Sequence, residues 1–154
     1  MSSDMVKNIT DAIGAHGAWK LRLRTAINTG RSDAKPSDVR CDDRCALGEW
    51  LHGPAMDTQT RSGLPYQVTK RLHAEFHGTA ADVLTLALDG RKDEASSLLN
   101  GDFTARSERL VRALTKWKGL PWRRLCVSPR PAWRRRRGIL CSGFLADHRT
   151  LNLK

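Results

Sequence analysis

RLHAEFHGTAADVL, residues 71–84, is the stretch on which the reading of this chain turns. Leu72, Phe76, Ala80, Val83 and Leu84 recur at three- and four-residue steps, the period of a helix with one apolar face. His73 and His77 flank that stripe four residues apart, so both imidazoles leave the helix on one side, about one turn from each other. Two imidazoles so placed can reach one metal ion, provided other segments supply the remaining ligands. Taken alone, such a pair is equally well a solvated pair on a helix flank.

The helix that carries them is expected to start at Pro65, a residue suited to a first turn, and to reach Asp89, with Gly90 as its stop. Upstream, residues 5–29 read as an amphipathic helix. Met5, Ile9, Ile13, His16, Leu23 and Ile27 form its stripe, with Ala12 and Trp19 beside them and Asn28-Thr29-Gly30 as its close. His16 lies inside the apolar stripe, where an unpaired polar group is costly, so its ring needs a partner. Residues 31–44 are polar and broken by Pro36, with a helical turn expected from Ser37. Asp42 or Asp43 is expected to cap the short helix CALGEWLH, residues 45–52, which Gly53-Pro54 ends. Residues 54–63 read as a polar loop. Downstream, Ala95, Leu99, Phe103, Leu110, Leu114 and Trp117 mark a last helix over 92–118, and Gly101 weakens it by about 1 kcal/mol relative to alanine.

Three long amphipathic helices and a short one can bury their stripes only against one another. The expected fold is all-α: an antiparallel helical bundle of four-helix type, with a short extra helix carrying Cys45. The 154 residues suffice for one domain. No run of eighteen apolar residues exists, so no membrane insertion is expected. The N-terminal MSSDMVKNITDA lacks the basic flank and apolar stretch of a secretory signal. Cysteines at 41, 45, 126 and 141 form no compact disulfide pattern, which favours a reducing, cytoplasmic setting.

The net charge of +11 is unevenly spread. Residues 1–118 hold 18 Lys and Arg against 15 acids, whereas residues 119–154 hold 9 against Asp147 alone. The chain therefore divides into a bundle, 1–118, and an irregular Arg/Pro-rich tail, 119–154, expected to be a disordered appendage. Trp122 and Trp133 interleaved with arginine leave room for a patch that binds nucleic acid or anionic lipid; nucleic acid is not expected to bind elsewhere. Near-exclusive use of arginine over lysine would also fit a shifted reading frame.

Zinc takes imidazole nitrogen and thiolate sulfur in a tetrahedron, and four protein ligands close it. His16, Cys45, His73 and His77 would supply that set from three helices. Singly, His16 and Cys45 on apolar faces are ordinary core residues. Their motifs decide otherwise: HGAWK at 16–20, CALGEWL at 45–51 and LHAEFH at 72–77 resemble the three motifs of the bacterial chemoreceptor zinc-binding (CZB) domain. The resemblance spans roughly residues 5–118. It implies a helical bundle that commonly dimerises and occurs attached to chemotaxis receptors and diguanylate cyclases. It also implies zinc ligation by His16, Cys45, His73 and His77. The basic tail and the lack of a recognisable output domain depart from the family pattern, so the signalling partner protein stays unnamed. Trp19 and Trp50 are expected to wall the site, and Asp38, Asp42, Asp43 and Glu75 are candidate acceptors for the ligand imidazoles. His52, His148, Cys41, Cys126 and Cys141 are not expected to be ligands.

A site closed by three imidazoles and a thiolate leaves no position for substrate, so no catalytic residue is expected. The thiolate is the soft, oxidisable ligand. A module reporting zinc level or oxidant through Cys45 is the leading reading. The alternatives are a structural zinc site in an adaptor and, further off, a three-histidine zinc hydrolase.

Overall fold

The computed structural model describes residues 3–120. Among these the chain is helical without strands: α1 (Ser3–Thr29), α2 (Pro36–Arg40), α3 (Ala46–His52), α4 (Thr58–Ser62), α5 (Leu64–Leu88), α6 (Lys92–Leu98) and α7 (Thr104–Gly119). The expected all-α bundle is what forms. The division at residue 119 and the character of the basic tail lie almost wholly outside the described residues.

Helix α5 is the central rod and packs against every other helix of the described chain. It buries Tyr66, Thr69, Leu72, His73, Phe76, His77, Ala80, Val83, Leu84 and Ala87. Helix α1 lays Met5, Ile9, Ala12, His16, Leu23 and Ile27 against it, the predicted stripe with Ala12 in place of the half-buried Ile13. Gly30 and Gly90 close α1 and α5 at φ 67° and 78°, the left-handed conformation that glycine adopts without Cβ strain.

The expected final helix is one rod, but it is not α-helical throughout. Leu99–Phe103, around Gly101, winds as a π-turn between α6 and α7. Thr104 Oγ donates to the Leu99 carbonyl at 2.7 Å, which gives a hydrogen bond to an oxygen that the wider turn sets apart. Leu99 and Phe103 at the two ends of this turn, and Leu110, Leu114 and Trp117 in α7, all face inward.

Two further expectations need correcting. The N-cap of α3 is neither Asp42 nor Asp43: Cys45 stands there in extended conformation, and its Sγ accepts the Gly48 N–H at 3.3 Å. The segment 54–63 is not wholly loop either. Asp57 accepts the Thr60 N–H at 2.6 Å and starts the single-turn α4. Arg61 then reaches back to the carbonyls of Met56 and Gly53 at 2.9 and 2.8 Å, so a cation sits over the C-terminal end of α3, where a helix dipole favours it. Tyr66 Oη donates to the Leu51 carbonyl at 3.1 Å and ties α3 to α5.

Candidate metal centre

Helical spacing and burial assemble the centre. His73 and His77 leave α5 one turn apart, His16 comes from the middle of α1, and Cys45 opens α3. One ligand atom from each of the four residues can be chosen so that all lie within 4.8 Å of one another. A tetrahedron with metal bonds of about 2.0–2.3 Å needs its donor atoms about 3.5 Å apart, so small side-chain rotations separate this arrangement from a closed site.

The hydrogen bonds say which atoms are on offer. His16 Nδ1–H donates to the Ala12 carbonyl at 2.7 Å, one turn back on α1. His77 Nδ1–H donates to the Val39 carbonyl of α2 at 2.6 Å. With Nδ1 committed, each ring presents the Nε2 lone pair, and both Nε2 atoms are buried without a hydrogen-bond partner. His73 Nε2 lies 3.2 Å from Cys45 Sγ. The rings crowd one another, with centroids 4.6 Å apart for His73 and His77 and 5.1 Å for His16 and His73.

All three imidazoles are at most 3% exposed. Burial holds them neutral. It pushes His73 down to about 2, with the neighbouring histidines adding to the effect, and His16 to about 4 against the pull of the Ala12 hydrogen bond. Burial lowers His77 as well, opposed by the Val39 carbonyl. Burial raises the Cys45 thiol, opposed by the Gly48 N–H. An unsatisfied buried polar atom costs about 1–3 kcal/mol, and here two, the Nε2 atoms of His16 and His77, belong to the same cluster as the Cys45 thiol. A soft-to-borderline cation satisfies them together and stabilises the thiolate that burial disfavours. The N₃S donor set is one that zinc accepts.

Phe76 forms the apolar floor, with its ring 4.9 Å from His16 and 5.6 Å from His77. Trp19 walls the site as expected, 6.5 Å from the His77 ring. Trp50 does not: its ring packs on Trp117 at 5.7 Å. Three residues separate Trp19 from His16 on one helix, whereas Trp50 lies on the far turn of α3 from Cys45. A cleft of about 190 Å³, bordered by Asn8, Asp11, His16, Trp19 and Cys45, runs between α1 and α3 to the half-buried thiol.

Of the four carboxylates proposed as acceptors, Asp38 pairs with Arg44 and Glu75 with Arg71. Asp42 is the one whose ion-pair contact reaches a site imidazole. The carbonyls of Ala12 and Val39 were missed. Ala12 was findable, since it lies four residues before His16 on the same helix; nothing in the sequence marks Val39. Cys41 donates weakly to the Ser37 carbonyl at 3.4 Å and is not in the cluster, and neither is His52. His148, Cys126 and Cys141 lie outside the described residues.

Residues 16–84 match the chemoreceptor zinc-binding domain family. The CZB match begins at His16 and takes in all four clustered residues, together with α2, α3, α4 and most of α5. It is shorter than the span 5–118 that the motifs suggested, and it leaves α6 and α7 outside. Curated proteins and solved structures yield no significant match. The match to a zinc-binding sensory family, together with a His/Cys group placed for a metal ion, points to zinc as the cofactor and to sensory zinc binding as the coarse function.

Proposed function

We propose that His16, Cys45, His73 and His77 ligate one zinc ion and that the chain works as a zinc-dependent sensory module. Occupancy or thiol oxidation at Cys45 changes the position of α3 and so reports to a signalling partner, as in chemotaxis or cyclic-di-GMP control. The observation that carries this reading is the convergence of orphaned imidazole nitrogens on a half-buried thiol, with the other ring nitrogens of His16 and His77 already committed to carbonyls. Four protein ligands fill zinc's tetrahedron, which favours a regulatory site over a hydrolytic one.

The switch reading draws on the place of Cys45. It caps a seven-residue helix, and the cleft beside it reaches solvent. Oxidation converts the thiolate into a poor ligand, which leaves three imidazoles to hold the ion more weakly. No helix of the described chain is long and apolar enough to cross a membrane. Cys41 and Cys45 are free thiols, which suits the proposed cytoplasmic setting. Dimerisation belongs to the same proposal and comes from the family alone.

The test is elemental analysis and chelator competition on the purified protein, before and after mild oxidant. One zinc per chain, loosened by oxidant in the native protein and insensitive to it in Cys45→Ala, is the expected result. Equal affinity in native protein and Cys45→Ala would remove the thiolate from the site and the switch with it.

A further inference from the structure

A metal-bound imidazole gives one nitrogen to the ion and keeps an N–H on the other, and in a buried site that N–H needs an acceptor. His16 and His77 have theirs in the carbonyls of Ala12 and Val39. His73 differs. It is fully buried, its Nε2 faces Cys45 Sγ, and its buried Nδ1 has no hydrogen-bond partner. The charged group facing Nδ1 is the Asp42 carboxylate, with Oδ2 3.8 Å away. The same oxygen lies 3.5 Å from His52 Nε2, in the last turn of α3.

We propose that Asp42 is the positioning residue of the centre: its carboxylate takes the Nδ1–H of His73 when Nε2 serves the metal, and His52 braces it from the other side. This deepens the zinc reading and rests on it. Closing 3.8 Å to hydrogen-bond length takes about 1 Å of movement, within reach of side-chain torsions. Asp38 and Glu75 face arginines, whereas the Asp42 carboxylate faces His73 and His52. The acceptor is an anion where the other two are neutral carbonyls. A carboxylate raises the donor strength of the ring it holds and offsets the single net positive charge of zinc with one thiolate.

The backbone shows why Asp42 stands where it does. A Cβ on Gly48 would come within 1.9 Å of the Asp42 carbonyl oxygen, so the loop lies against the first turn of α3 only because residue 48 has no side chain. That loop carries Asp42 three residues before Cys45. A direct ligand and the outer partner of a second ligand therefore move as one unit. Withdrawal of Cys45 also takes the acceptor from His73, so loss of one bond weakens two.

The experiment uses the full chain loaded with zinc, with chelator competition for affinity and ¹H–¹⁵N NMR of the histidine ring N–H groups. The native protein should show slowly exchanging ring N–H signals from His16, His73 and His77. Asp42→Ala should lose or shift that of His73 alone and weaken zinc binding about 10–100-fold. Asp42→Asn, which keeps an acceptor oxygen without the charge, should restore the His73 signal and part of the affinity. It also serves as the deciding variant if Asp42→Ala does not fold. His52→Ala should have the same direction of effect and a smaller size. Native affinity and an unmoved His73 signal in Asp42→Ala would overturn the proposal while leaving the four ligands intact. Native protein without zinc, or full retention of zinc by His73→Ala, would overturn the ligand assignment and this proposal together.

Discussion

Helix α5 meets two unlike neighbourhoods. Toward α2, α3 and the middle of α1 it presents His73 and His77, and beside the apolar stripe of α1 the contacts there are polar and directional: an imidazole–carbonyl hydrogen bond to Val39, a thiol–imidazole contact and a carboxylate near His73. Toward α6 and α7 the contacts are apolar, with Phe76 on Phe103 at 5.1 Å and Tyr66 on Trp117 at 6.3 Å. Phe103, Leu110, Leu114 and Trp117 are all at most 1% exposed. The α5–α7 side is held by buried area, which does not depend on any ion. The other side includes α2 and α3, five and seven residues long, too short to persist as helices without tertiary support. A metal ion is the natural source of that support. The contrast teaches where a signal can arise: a rigid apolar half serves as the frame, and the half with short helices can respond to the ion.

The strongest test of this division is removal of the proposed ligands. His73→Ala with His77→Ala should abolish zinc binding by elemental analysis. It should also remove the stabilisation that zinc confers, about 4 kcal/mol when free zinc stands a thousandfold above the dissociation constant. In hydrogen exchange, chelation of native protein should expose the amides of α2 and α3 before those of α5 and α7. Uniform loss of protection across all four would break the comparison.

A mutation on the apolar side should behave in the opposite way. Leu114→Ala should cost about 2–5 kcal/mol in denaturant unfolding, by nearly the same amount with and without zinc, and leave zinc affinity unchanged. A large fall in affinity would show that the two halves are coupled more tightly than their contacts indicate. Gly48→Ala should fall between these cases. Its Cβ collides with the Asp42 backbone, so the loop shifts, at a cost of about 1–3 kcal/mol. The cost should be larger in the zinc-loaded protein than in the metal-free one. The smallest effect is expected from Cys45→Asp, which keeps an anionic ligand. Its zinc affinity should lie between those of native protein and Cys45→Ala in chelator competition, and it should resist oxidant.

The difference between the two halves also explains what could be read in advance. The apolar stripes of α1 and α5 follow from residue spacing, because helix geometry is local and repeats every few residues. The last rod was harder. Gly101 was visible as a weak point, but nothing in the spacing of Leu99, Phe103, Leu110 and Leu114 marks the π-turn it occupies. Trp50 shows the same limit: it stands five residues from Cys45, yet its ring lies on Trp117, which is 67 positions further along the chain.

By itself, the sequence determined the helical periods and singled out the four residues that cluster, since ligand chemistry resides in side-chain identity and His73 and His77 share a face by spacing alone. The tertiary structure decided which nitrogen each ring offers, because the partners are largely backbone groups. The Val39 carbonyl looks like any other until α2 packs on α5 and sets it 2.6 Å from His77. It likewise brought Asp42 to within 3.8 Å of His73 and placed Cys45 at the cap of α3, where its sulfur meets both Gly48 and His73. Hydrogen-bond partnership depends on approach within about 3 Å, and only packing brings distant segments that close.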